Sequence, residues 1–218
     1  MLLLLGDGTR LPVTELPGDG PWTFLVLEPG TADPGPATPA TGSPSPEPGG
    51  AARLLTRHGR AVVPDLRGRA GFGVPPGEAG SLGLVDDLDQ IRTRAGLGRP
   101  VLVGLGALAP VALQAGVEQP WAWRALVLAP PAGRPAGAAE LGRLDLPVLV
   151  LDAEPAAPPE AEELAGAEGR GSAGVERVRL GDAPWQEQGP VAAAVERLLG
   201  RLGGGPGWAG IAPDAPPR

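Results

Sequence analysis

Short apolar runs alternate with stretches of helical spacing along most of this chain, and that alternation limits the fold more than any other feature. Val101–Val103, Ala125–Leu128 and Val148–Leu151 are apolar at every position, so both faces of each strand must be covered. Arg60-Ala-Val-Val-Pro64 and Val175–Leu180 read as further strands. Between them, Leu84–Ala95 sets Leu84, Leu88, Ile91 and Ala95 at helical spacing and ends at Gly96. Asp86, Asp87 and Asp89 in that segment read as an acidic first turn suited to the helix dipole. Helices are also expected over Ala51–His58, Ala109–Val117, Pro159 to about Ala167, and Pro190–Leu202. Strands and helices in alternation, joined by short loops, imply an α/β fold: a doubly wound, mostly parallel sheet with helices on both faces.

The amino-terminal part differs. Gly6-Asp7-Gly8 separates two short apolar runs between Leu2 and about Leu16, the mark of a hairpin, and Trp22–Leu27 reads as a third strand. Residues 29–50 are Pro, Gly, Thr and Ser with almost no large apolar side chain, which predicts a flexible loop after the third strand. Another loop is expected from Asp65 to about Leu82. With 218 residues there is chain for one sizeable core, so a single domain over 1–202 is expected, followed by a disordered Gly/Pro-rich tail over 203–218.

Composition removes several classes of function. The net charge of -7 and a sequence pI of about 4.8 argue against a nucleic-acid surface. With Cys at 0 and His58 the only histidine, neither a thiolate nucleophile nor a Cys- or His-based metal site is available; no metal and no cofactor is implied. Met1-Leu-Leu-Leu-Leu5 is too short for a signal peptide, and no apolar run approaches the roughly 20 residues of a membrane span, so a cytoplasmic location is expected. The scarcity of Lys, Asn, Phe, Met and Tyr beside abundant Gly, Pro, Ala and Arg is what a GC-rich bacterial genome produces; it describes the source rather than the task.

The densest local signal is Arg99-Pro-Val-Leu-Val-Gly-Leu-Gly-Ala-Leu-Ala-Pro-Val-Ala-Leu113, a buried strand running through a sharp turn into a helix. Arg57-His-Gly-Arg-Ala-Val-Val-Pro-Asp-Leu-Arg-Gly68, Val85-Asp-Asp-Leu88, Arg124–Ala129 and Leu146-Pro-Val-Leu-Val-Leu151 stand around it in a characteristic order. Together these segments resemble the α/β-hydrolase fold family, in particular its small-molecule esterases, epoxide hydrolases and carbon–carbon bond hydrolases. The resemblance spans about Gly6 to Leu202. It implies a Gly-x-Ser-x-Gly elbow at residues 104–108, with a His base and an acid supplied by later loops.

Every departure from the pattern falls on the chemistry. The nucleophile position is Gly106, and Leu108 stands where a glycine would allow close helix packing. Glu28-Pro29 replaces the usual His-Gly after the third strand. Asp152 or Glu154 is the nearest remnant of the acid, Gly181-Asp-Ala-Pro-Trp185 has no histidine, and the cap is reduced to the link Pro130–Asp145. His58 precedes the fourth strand and so belongs at the sheet edge opposite the site, where a surface or packing role is the simpler reading. Ser43, Ser45, Ser81 and Ser172 all fall in expected loops.

Glycine adopts the strained elbow conformation freely, so the turn can persist without the hydroxyl. The backbone N–H groups of Ala107 and of Gly30 could then serve an anion or carbonyl, with Trp185 lining a cleft. Glu28, Asp65, Asp152, Glu154 and Asp182 all follow strand ends, which leaves carboxylate acid–base chemistry open; turn or solvated-loop roles explain them as well. Trp121 and Trp123 could line a cleft but read more simply as packing residues, and Pro36 to Pro39 could present Pro-x-x-Pro to a partner, though composition explains the spacing as well. Three readings remain: a pseudo-hydrolase that binds a small molecule or a protein partner, a hydrolase or lyase acting on a small ester, lactone or epoxide through carboxylates and backbone donors, and a structural or assembly protein.

Overall fold

The computed structural model describes residues 1–29, 49–66, 79–131, 136–152, 174–179 and 188–204. The chain runs β1 (Leu2–Leu4), β2 (Arg10–Leu16), β3 (Trp22–Leu27), α1 (Gly50–Leu55), β4 (Gly59–Pro64), α2 (Ala79–Arg94), β5 (Val101–Leu105), α3 (Ala109–Glu118), β6 (Ala125–Ala129), α4 (Ala138–Leu141), β7 (Val148–Asp152), β8 (Val175–Arg179) and α5 (Gln188–Gly204). The strands form an eight-stranded sheet in the order β1-β2-β4-β3-β5-β6-β7-β8. Strand β2 is antiparallel to β1 and β4, and every later pairing is parallel.

The hairpin closes as its turn residues dictate. Gly8 takes φ +83, its N–H reaches the Leu5 carbonyl at 3.0 Å, and the Asp7 carboxylate accepts from Thr9 N at 2.9 Å. The unbroken apolar strands divide their side chains between two cores, because successive residues face opposite sides of the sheet. Leu25, Leu27, Leu102, Leu126, Leu128 and Val150 pack with α2 and α3 residues such as Leu88, Ile91 and Val111. Phe24, Val26, Val101, Val103, Val127 and Leu149 pack with Leu55 of α1 and Val195, Leu198 and Leu202 of α5.

Some expectations need correction. Helix α2 starts at Ala79, ahead of Leu84 and despite Gly80 and Gly83, so Asp86, Asp87 and Asp89 lie beyond its first turn and cannot serve its amino-terminal dipole. Asp89 instead accepts from Arg92 at 2.7 Å, one turn along, and Asp87 is buried. Gly50, expected at the end of the flexible loop, opens α1, and α5 extends to Gly204, two residues into the expected tail. The remainder of the tail, most of the 29–50 loop and the expected helix Pro159–Ala167 lie outside the described residues. The Pro130–Asp145 link carries the single turn α4, with no cap among the described residues. No helix among the described residues is long and apolar enough to cross a membrane.

Candidate functional site

Parallel strands put their carboxyl ends on one edge of the sheet, and β5 stands at its centre between β3 and β6. The residues that follow these ends define the place where open α/β sheets hold ligands. At the end of β5 the chain reverses within Gly106–Leu108, a single 3-10 turn, and enters α3 at once; the Ala109 N–H closes the turn on the Gly106 carbonyl. Gly106 has φ +53, the left-handed conformation that a side chain disfavours. The expected elbow is therefore present, with a hydrogen atom at its apex. Gly106 is half-buried and Ala107 exposed.

The close approach of strand and helix rests on Gly104. A Cβ at that position would lie 2.5 Å from Ala112 Cβ, 2.9 Å from Ala109 Cα and 3.0 Å from the Leu108 carbonyl oxygen. Leu108, which stands where a glycine would allow close packing, turns its side chain into the core at 2% exposure. Tight packing is needed one turn away from residue 108, at the Gly104–Ala112 contact.

Glu28 follows β3 on the same edge. Its carboxylate accepts from Gly49 N at 2.6 Å and from Ala52 N at 3.1 Å, binding the first turn of α1. This is an N-cap performed from a distant strand, and it engages both oxygens. Pro29 comes next and has no N–H to offer a ligand. Its ring faces the elbow: a Cβ on Gly106 would lie 3.3 Å from Pro29 Cγ and 4.0 Å from Pro29 Cδ.

Asp152 ends β7 and pairs with Arg177 of β8 at 3.5 Å. Three strand spacings separate β3 from β7, which at about 4.8 Å each puts roughly 14 Å between the backbones bearing Glu28 and Asp152. The two are gathered on one edge, and each carboxylate is held by a different partner. Among the described residues no cluster of three or more His, Asp or Glu side chains is placed to hold a metal ion.

His58 lies at the other edge. It precedes β4, and its carbonyl accepts from Trp22 N at the start of β3. A six-residue strand rises about 20 Å, so this imidazole is far from the elbow. Its Nε2 is buried with no hydrogen-bond partner among the described residues, and burial pushes its pKa below the ordinary value, Glu196 opposing and Arg57 reinforcing the shift. Of the two Trp residues before β6, Trp123 is fully buried and donates from Nε1 to the Ala115 carbonyl at 3.1 Å, whereas Trp121 is exposed. Gly30, Glu154, Asp182 and Trp185 lie outside the described residues.

The contact between Pro29 and Gly106 and the capping role of Glu28 are absent from the sequence expectations. The first was within reach of strand register: Leu27 pairs with Gly104, and counting two residues along parallel strands brings Pro29 abreast of Gly106. The second joins residues 21 and 24 positions apart, and no local signal announces it.

No protein-family model and no curated protein matches the sequence. Solved structures do match. The chain is similar to an N-formylmaleamic acid deformylase from Pseudomonas putida, with 17% identity over 90% of this chain and 99% of that one and a TM-score of 0.58. A hydrolase from Pseudomonas aeruginosa matches at 17% identity over 92% and 98% of the two chains, TM-score 0.61. An enol-lactonase from Burkholderia xenovorans matches at 15% identity over 91% and 99%, TM-score 0.55. Likeness at such identities is likeness of fold, and it agrees with the strand order: the chain has an α/β-hydrolase-like fold.

Proposed function

We propose that this chain is a non-catalytic, cytoplasmic member of the hydrolase-like fold that binds a small molecule or a protein partner. The observation that carries the proposal is Gly106 at the apex of an intact elbow, where this fold presents its nucleophile. A triad also needs a base within hydrogen-bond reach, and the only histidine of the sequence precedes β4 at the opposite edge. The carboxylate alternative loses support from the site: Glu28 is committed to α1 and Asp152 to Arg177.

Purified protein is assayed on a panel of activated esters, lactones and epoxides beside Gly106→Ser, Glu28→Gln and Asp152→Asn. The expected result is no turnover above buffer in any of the four. Turnover by the unaltered chain that vanishes in either carboxylate variant would overturn the proposal and establish carboxylate chemistry on small esters, lactones or epoxides.

One observation favours an assembly role as a second reading. Strand β1 forms an outer edge of the sheet, with Leu2 64% and Leu4 54% exposed, and an uncharged apolar edge invites pairing with another chain. Light scattering on the protein and on Leu4→Glu tests it. A monomer in both cases would remove support for self-association through this edge.

A further inference from the structure

We propose that the chain closes its own elbow on one side: the ring of Pro29 crowds the space that a side chain at residue 106 would enter. The inference rests on reading the elbow as lacking a nucleophile and adds what stands beside the vacated place.

Three observations converge on it. The parallel register of β3 and β5 carries Pro29 alongside Gly106 two residues beyond the Leu27–Gly104 pairing. Glu28 is held by both carboxylate oxygens to the start of α1, which fixes the residue immediately before the ring. The ring's Cγ would stand 3.3 Å from a Cβ at 106, closer than side-chain carbons normally approach, so the ring must shift by a few tenths of an ångström to admit one. Glycine at 106 thus answers two separate demands, a left-handed backbone and a neighbour that crowds it on one side.

The two demands separate experimentally. The conformational cost of Gly106→Ala is the same whatever stands at 29, whereas the steric cost exists only beside the proline ring. A double-mutant cycle over Gly106→Ala and Pro29→Ala, read by thermal denaturation, isolates the coupling and cancels the effect of Pro29→Ala on the unfolded chain. Gly106→Ala is expected to lower Tm further with Pro29 present than in the Pro29→Ala background. An equal drop in both refutes the closure.

The absence of cysteine from the sequence permits a second readout. Gly106→Cys introduces a lone thiol at the apex, whose reaction with an aromatic disulfide reports access. Labelling is expected to be several-fold faster after Pro29→Ala, and identical rates overturn the proposal. Turnover in the substrate panel would defeat the non-catalytic reading without altering this coupling, and absent coupling would defeat the closure without creating turnover.

Discussion

Gly104→Ala isolates the contact on which the elbow depends. Gly104 sits in a regular strand, so the added methyl brings no left-handed penalty; what it brings is a Cβ 2.5 Å from Ala112 Cβ, 2.9 Å from Ala109 Cα and 3.0 Å from the Leu108 carbonyl oxygen. None of those atoms is the end of a flexible side chain. Relief requires α3 to move away from β5, and α3 is locked by Val111, Ala112 and Ala115 in the core and by the bond from Trp123 Nε1. Overpacking a rigid core costs about 1–3 kcal/mol, and immovable neighbours put this case near the top, at about 3 kcal/mol. For a domain of this size each kcal/mol moves Tm by roughly 2–4 °C, so a fall of about 6–12 °C is expected in thermal denaturation followed by circular dichroism. Gly200→Ala in α5 is the internal control. Open space surrounds that position, and exchanging a helical glycine for alanine should stabilise by about 0.5–1 kcal/mol. A neutral or stabilising Gly104→Ala would refute the reasoning, because it would mean that helix and strand are not in the contact described.

Glu28→Ala should cost about 0.5–2 kcal/mol by denaturant titration, whereas Glu28→Gln, which keeps an acceptor oxygen, should cost less; equal losses would argue against capping. His58 has a folded pKa below 6.5, so the unfolded chain takes up the proton first as pH falls, and stability contributed by the neutral imidazole is lost as pH drops below that value. The chemical-denaturation midpoint should decline from pH 7.5 to pH 5 less steeply in His58→Gln, and an unchanged slope would exclude this residue as a source. Trp123→Phe removes the bond to Ala115 and leaves unfilled space against α3; a loss of about 1–3 kcal/mol is expected, and a loss below half of that range's lower end would mean the indole is not held as described.

Local pattern alone determines a large part of this protein. Trp22–Leu27 was legible as a strand because its apolar residues are contiguous, the hairpin because Asp7-Gly8 supplies the turn conformation, and the parallel sheet because wholly apolar strands demand cover on both faces. The bareness of the elbow was equally legible, since a missing hydroxyl at residue 106 and a single histidine are facts of the chain itself. The start of α2 was not, because Gly80 and Gly83 argue locally against a helix that begins at Ala79.

What the tertiary structure decided concerns how far apart things are. Glu28 and Asp152 both follow strand ends, yet sheet order places two strands between them and each carboxylate meets a different partner. Glu28 became a cap because β3 ends beside the first turn of α1, and Pro29 became the neighbour of Gly106 because β3 and β5 are adjacent. A sequence records which groups exist and how they repeat along one chain. Distances between segments far apart in that chain are set only when the burial of many apolar side chains selects one packing, and at this site those distances determine which groups can act on one another.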